Sequence, residues 1–312
     1  MTTLERRETE HEILIAAPAE RVYRILADVR QWPSIFPPTI HAQRVAGDDR
    51  AEQIRLWATA NGEVKSWQSR RELSPTERRI VFGQEKSAPP IASMGGMWLV
   101  DPTPDGGSQV RLTHYYEADS AENLGWIDRT VETNSQAELE ALRTHVESAL
   151  GAELTFSFED TVLIHGEAKD VFDFIADAER WPDRLPHVSR VRMDTDANGV
   201  QTLEMDTSTQ HGATHTTKSY RVLLSPFAIA YKQVTLPSLL TVHTGYWHLT
   251  RTEQGVEASS QHTVVLNPAN IRLVLGENAT IAEGREHVRE ALSGNSLATL
   301  GCAKRYAEDG PR

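Results

Sequence analysis

The chain has 312 residues and a formal net charge of −12. That acidic balance excludes nucleic acid as the main partner, because neutralising phosphates takes a concentrated basic face. One cysteine, Cys302, excludes an intrachain disulfide, and no run of about 18 apolar residues offers a membrane span. Met1 to Arg7 carry no apolar signal core, so the expectation is a soluble, cytoplasmic protein. The length suits two domains of about 150 residues, each able to bury its own core.

In chain order, His11–Ala16 reads as a short strand, and Ala17-Pro18-Ala19-Glu20 opens a helix with Pro18 suited to its first turn. Val22, Ile25, Leu26 and Val29 share one helical face. Trp32-Pro33 is expected to stop that helix, since the residue before a proline is pushed out of helical geometry. Ile35-Phe36-Pro37-Pro38 is a second, short helical turn. Gln43–Val45 and Glu52–Ala58 then pair as strands, and Asn61-Gly62 is a hairpin signal joining Glu52–Ala60 to Glu63–Leu73. Arg79–Gln84, Met94–Asp101 and Gln109–Ala118 continue the sheet, with Asp105-Gly106-Gly107 as a turn and Gly95-Gly96 as a bulge or bend. A long helix over Thr130–Leu150 closes the half.

The second half repeats this order. Ala27-Asp28-Val29-Arg30-Gln31-Trp32-Pro33 returns as Ala176-Asp177-Ala178-Glu179-Arg180-Trp181-Pro182, 149 residues further on. An echo near half the chain length means tandem domains, not a short-period solenoid. Leu154–Ile164 is a strand and Ala168–Ala178 a helix; strands follow near Val188–Met193, Gln201–Met205, Thr214–Leu224, Ala228–Val234, Leu240–Thr250 and Val256–Leu266, with Asn198-Gly199 as a turn. A last helix covers about Thr280–Ala307. Hairpin-linked strands make the sheets antiparallel. The fold class is α+β, with domains at 1–151 and 152–312, and a long helix on a curved sheet can enclose a cavity.

Period-two alternation puts Trp67, Ser69, Arg71 and Leu73 on one face, expected to be the inward one. Ser-x-Arg recurs at Ser219 and Arg221. A solvated or ion-paired arginine at a strand end is the competing reading. Val110, Leu112, His114 and Tyr116 share an apolar face, as do Ala258, Ser260, His262 and Val264, and both histidines could equally be hydrogen-bonded core groups. Trp98 and Trp247 match at the same offset, as cavity wall or core. His211 and His215 would lie about 13 Å apart on a strand, too far for one metal ion, and the 12 histidines show no metal-ligand spacing. No phosphate-cradling glycine loop or Gly-x-Ser-x-Gly is present.

The Trp-Pro motif, the Trp-x-Ser-x-Arg strand and the long C-terminal helix resemble the polyketide cyclase branch of the START/Bet v 1 helix-grip superfamily. With two copies, the chain most resembles the di-domain aromatase/cyclases of bacterial type II polyketide synthases. The resemblance covers nearly the whole chain. It implies two tandem helix-grip domains, each with about seven strands around the long helix and an interior pocket. It also implies first-ring aldol closure between the seventh and twelfth carbons of a poly-β-ketone, dehydrative aromatisation, or both.

By position, the resemblance makes Arg71, Ser69, Arg221 and Ser219 catalytic. Trp67, Trp32, Phe36, Thr39, Trp98, His114, Tyr116, His262 and Trp247 become pocket residues. Single-domain relatives have tyrosine at Thr39 and a second tryptophan at Lys65, which puts hydroxyl-mediated proton transfer in the first pocket in doubt. An arginine stays protonated and cannot be a general base, but it can stabilise a developing enolate or alkoxide, while a narrow pocket supplies proximity. Ser69, His114, Tyr116 or water could move protons. No metal or redox cofactor is called for. The implied partner is an acyl carrier protein bearing the chain, with the ketosynthase or ketoreductase of the same synthase as further candidates. Docking that acidic partner would need local basic residues such as Arg70, Arg78 and Arg79, or Arg184, Arg190 and Arg192. The alternative is a non-catalytic START-like carrier or sensor of an apolar small molecule.

Overall fold

The computed structural model of the protein describes residues 6–60, 62–87, 89–148, 151–208, 214–224 and 226–310. Asn61 of the expected hairpin, Leu150 of the expected long helix and His211 lie outside the described residues. The chain divides into two compact units, one ending at Gly151 and the other beginning at Ala152.

The first unit runs β1 (Arg6–Ile15), α1 (Ala19–Ala27), α2 (Trp32–Ile35), β2 (Thr39–Gly47), β3 (Ala51–Ala60), β4 (Glu63–Ser74), β5 (Arg79–Lys86), β6 (Ile91–Pro102), β7 (Ser108–Ala118) and α3 (Leu124–Glu147). After α4 (Gly151–Leu154), the second unit runs β8 (Thr155–Ile164), α5 (Ala168–Ala176), α6 (Trp181–Arg184), β9 (Val188–Thr195), β10 (Val200–Ser208), β11 (Thr214–Leu224), β12 (Ala228–Thr235), β13 (Leu240–Thr252), β14 (Gly255–Leu266), α7 (Pro268–Leu275) and α8 (Ile281–Asp309). Each unit has a seven-stranded sheet, ordered β1-β7-β6-β5-β4-β3-β2 and β8-β14-β13-β12-β11-β10-β9. All the pairs are antiparallel. The α+β class and the helix-grip layout are as the sequence implied.

In the first unit Val22 and Leu26 of α1 pack with Ile80, Val100 and Leu112 of the sheet and with Leu139 and Leu142 of α3. Val171, Phe174 and Ile175 of α5 do the same against Ile229, Ala258 and Leu300. Among the described residues no helix is long and apolar enough to cross a membrane.

The structure corrects the sequence reading in four places. Trp32 and Trp181 precede prolines yet are helical, at φ −55°, ψ −41° and φ −59°, ψ −35°. Trp-Pro therefore opens α2 and α6, with the proline in the first turn, where its missing N–H leaves no gap in the ladder. What ends α1 is Asp28, at φ −89°, ψ 91°, whose carboxylate accepts from the Arg30 backbone N–H at 3.2 Å. Secondly, Gly95 and Gly96 sit in regular register with Tyr115 and His114. They mark close approach, since a Cβ on Gly96 would lie 2.0 Å from the Thr113 carbonyl oxygen. Thirdly, α3 begins at Leu124, six residues before the expected Thr130. Finally, α7 had no counterpart in the sequence reading, although Asn267 caps it through the Ala269 N–H and Pro268 starts it.

Candidate active site

The sequence echo and the Ser-x-Arg strand turn out to be parts of one device. Arg71 on β4 reaches the C-terminus of α1, where its Nη2 donates to the Leu26 carbonyl at 2.9 Å and its Nη1 to the Ala27 carbonyl at 3.3 Å. Those carbonyls are among the last of α1, which lack helical partners and carry the negative end of the helix dipole. The Trp32 ring packs 5.1 Å from the guanidinium, and its indole N–H donates to Leu26. In the second unit Arg221 donates to the Ile175 and Ala176 carbonyls at 2.5 and 3.5 Å, with Trp181 at 5.2 Å.

Around Arg71 opens a cavity of about 180 Å³. Arg71, Ser69, Trp67, Trp32, Phe36, Thr39, Trp98 and His114 all line it. Arg71 is also tied to Glu52, with Nη1 to Oε1 at 2.8 Å and both side chains buried. Burial pulls the Arg71 guanidinium down to about 10, which leaves it protonated at neutral pH. His114 stands edge-on to Phe82 and 3.5 Å from the Ser135 hydroxyl, and burial pushes it down to about 4. Tyr116 does not line the cavity. Its hydroxyl donates to Asp128 at 2.7 Å, and its ring packs with Ile127 and Val131.

The helix α3 supplies what the sequence reading missed. Thr130, Asn134, Ser135 and Glu138 face the cavity from it. Burial pushes the Glu138 carboxyl up to about 7. A signal was present: Val131, Ser135 and Glu138 fall four and three residues apart, on one helical face.

The second cavity, about 110 Å³, is lined by Arg221, Ser219, Trp181, Trp247 and His262 among others. Three polar residues that the sequence reading passed over, Tyr231, His243 and Ser296, complete a network there. His262 Nδ1 lies 2.8 Å from the Tyr231 hydroxyl and its Nε2 2.8 Å from the Ser296 hydroxyl. His243 Nε2 lies 2.9 Å from His262 Nδ1, and Ser260 bonds to both His262 and Ser296 at 3.1 Å. Burial pushes His262 down to about 4 and His243 well below the usual histidine value. Gly245 makes room for Tyr231, because a Cβ there would lie 2.7 Å from the phenol oxygen.

The family described as polyketide cyclase/dehydrase and lipid transport matches residues 6–147, and a second family of the same description matches residues 164–280. The chain belongs to this polyketide cyclase/dehydrase family. It is 48% identical over 308 residues to a granaticin polyketide synthase bifunctional cyclase/dehydratase from Streptomyces virginiae, covering 96% of this chain and 98% of that one. It is 40% identical over 301 residues to the actinorhodin polyketide synthase bifunctional cyclase/dehydratase of Streptomyces coelicolor, with 93% of each chain covered. The crystal structure of the di-domain ARO/CYC BexL from the BE-7585A biosynthetic pathway superposes with a TM-score of 0.89 at 54% identity, over 98% of this chain and 100% of that one. StfQ from the steffimycin pathway, another di-domain ARO/CYC, gives 0.86 at 31% identity, over 96% and 98%. This member is accordingly an aromatase/cyclase, and the carrier or sensor alternative falls away.

Proposed function

We propose that the first cavity folds a poly-β-ketone, delivered on an acyl carrier protein of a type II polyketide synthase, for aldol closure of its first ring and subsequent loss of water. The observation that carries this is the place of Glu138, a carboxyl on α3 that faces an otherwise largely apolar cavity; desolvation there raises it to about 7. A group with that value divides its time between acid and base near neutral pH, which suits proton transfer to and from carbon acids.

In the proposed sequence the Glu138 carboxylate takes a proton from a methylene between two ketones. The carbon lone pair attacks the carbon of a third ketone further along the chain, whose C=O π pair becomes the alkoxide, and that alkoxide takes the proton back from Glu138. Dehydration repeats the abstraction at the adjacent carbon: the hydroxyl departs with a proton as water and a carbon–carbon double bond forms. Ser69, buried on β4 and lining the same cavity, supplies a hydroxyl donor to the developing oxyanion. Arg71 holds the end of α1 against β4 and packs on the lining aromatic Trp32. It is a positioning residue, because its hydrogen bonds go to Leu26, Ala27 and Glu52.

The expected basic landing patches are largely paired: Arg70 with Glu72, Arg79 with Glu77, Arg184 with Asp177, and Arg190 with Asp206 and Glu204. Docking of the acidic carrier therefore depends on rearranging exposed ion pairs, which are worth little individually. The test is reconstitution with a minimal synthase. Addition of this protein should convert shunt products into one regiospecific aromatic product, and Glu138→Gln should return the shunt mixture. An unchanged profile on adding the wild-type protein would overturn the proposal.

A further inference from the structure

The two units build the same arginine cage and differ in the residue directly across the strand. In the first, β3 and β4 set Glu52 opposite Arg71, and the carboxylate neutralises the guanidinium at 2.8 Å. In the second, β10 and β11 set Gln201 opposite Arg221. The Gln201 amide nitrogen donates to Ala176 at 3.2 Å, and its amide oxygen is buried without a partner. Among the described residues no carboxylate lies within ion-pair distance of Arg221, and only burial displaces its ionisation.

The rest of the cavity does not compensate. Among the described residues, no aspartate, glutamate or lysine lines it. Burial keeps His262 and His243 neutral and the Tyr231 phenol protonated. Arg221, buried at 2% exposure, is met by the Ile175 and Ala176 carbonyls and the Trp181 ring, but among the described residues no opposite charge offsets it. A buried charge of this kind is costly unless an opposite charge reaches it. Ser219, two residues along the same strand face, lines the cavity too and can add a hydroxyl donor.

We propose that the second cavity is a binding site for an anionic oxygen, the carboxylate of a short β-keto acid or the enolate of a β-diketone, held by Arg221 and Ser219, and that Gln201 is the residue that gives it this preference. The first cavity, whose arginine is already neutralised, takes uncharged chains. The choice of β-dicarbonyl ligands rests on the polyketide reading above; the preference for negative charge does not.

The experiment titrates acetoacetate, its neutral methyl ester and acetylacetone into the full chain. Calorimetry follows the first two, and the ultraviolet absorption of the enolate follows the third. Wild type should bind one acetoacetate per chain, about ten- to a hundredfold more tightly than the ester, as for a charge-assisted hydrogen bond. Gln201→Glu supplies the missing counter-ion and should abolish that preference with no loss of thermal stability. Glu52→Gln should create a second acetoacetate site. Enolate absorption appearing in wild type and missing in Gln201→Glu assigns the enolate as ligand; acid preference without it assigns the carboxylate. Equal affinity for acid and ester, no binding of acetoacetate, or an acid preference that survives Gln201→Glu would overturn the proposal. The product profile of the reconstituted synthase uses none of these probes, so failure there and failure here are separate results.

Discussion

Glu52 and Arg71 face one another across β3 and β4 at 2.8 Å, with only 6% and 1% of their side chains exposed. The pair is far from bulk water, so removing one member strands the other. Glu52→Ala should lower the unfolding free energy by about 3–5 kcal/mol, whereas the double change Glu52→Met with Arg71→Met should cost much less. Urea denaturation of the single and double variants checks this. Equal losses for the single and the double change would mean that the pair contributes only packing. The same logic governs activity: a loss on Arg71→Ala reports collapse of the α1 rim unless stability is measured alongside.

Two glycines, one in a strand and one in a helix, give a sharper contrast. A Cβ at Gly96 would stand 2.0 Å from the Thr113 carbonyl oxygen, in backbone that cannot move aside. Gly294, in the middle of α8, has nothing within 4 Å of that position. Gly96→Ala should therefore destabilise by about 1–3 kcal/mol through overpacking, while Gly294→Ala should stabilise by about 0.8–1 kcal/mol through helix propensity. Thermal melts of the two variants should move in opposite directions, and a shift of the same sign would contradict the packing at Gly96.

The repeat was readable as a sequence echo, and the hairpin-linked strands and the inward face of β4 were readable because they rest on local turn signals and a period of two; the pairing of β1 with β7 was not. Trp67, Ser69 and Arg71 came out on the cavity wall for that reason. The Trp-Pro stop failed because proline's effect depends on where a helix starts: at Trp32 the chain had already left α1 at Asp28. Glu138 was missed because its neutral-range carboxyl is a property of burial, not of residue type. Tyr231, His243 and Ser296 come from three separate elements, and no spacing along the chain announces their meeting. The exchange of Glu52 for Gln201 was visible at the same 149-residue offset, but its meaning needed the register that sets each opposite its arginine.

Acid should unfold the protein early. His41, His114 and His262 are all pushed by burial from 6.5 to about 4, and burial also pushes His243 well below 6.5. Each favours the folded state only while neutral. That stability is present above the unfolded value near 6.5 and is lost as pH falls through the folded value near 4. At about 1.4 kcal/mol for each pH unit between the folded and unfolded values, His41, His114 and His262 each account for at most about 3.5 kcal/mol. Each domain holds two such groups, enough to be a large fraction of its whole stability. The urea midpoint should drop steeply between about pH 6.5 and 4, and His262→Asn should make the drop shallower. A midpoint flat across that window would exclude neutral buried histidines.

Glu138 pulls the other way over the same range. Its folded value is raised from 4.5 to about 7, so its contribution is fully present below the unfolded value and is lost as pH rises through about 7. That displacement amounts to about 3.5 kcal/mol at most, less than His41 and His114 of the same domain combined, so the net acid loss should survive. Glu138→Gln should remove this opposing slope and raise stability at pH 8 relative to wild type, while abolishing most cyclisation. The rate profile carries the same signature. If Glu138 acts first as a base, product formation in wild type should rise with pH through about 7 and level off, and the residual rate of Glu138→Gln should show no such inflection. Reconstituted turnover measured from pH 6 to 8.5 decides it. An inflection that persists in Glu138→Gln would assign the proton transfer to another group on the cavity wall.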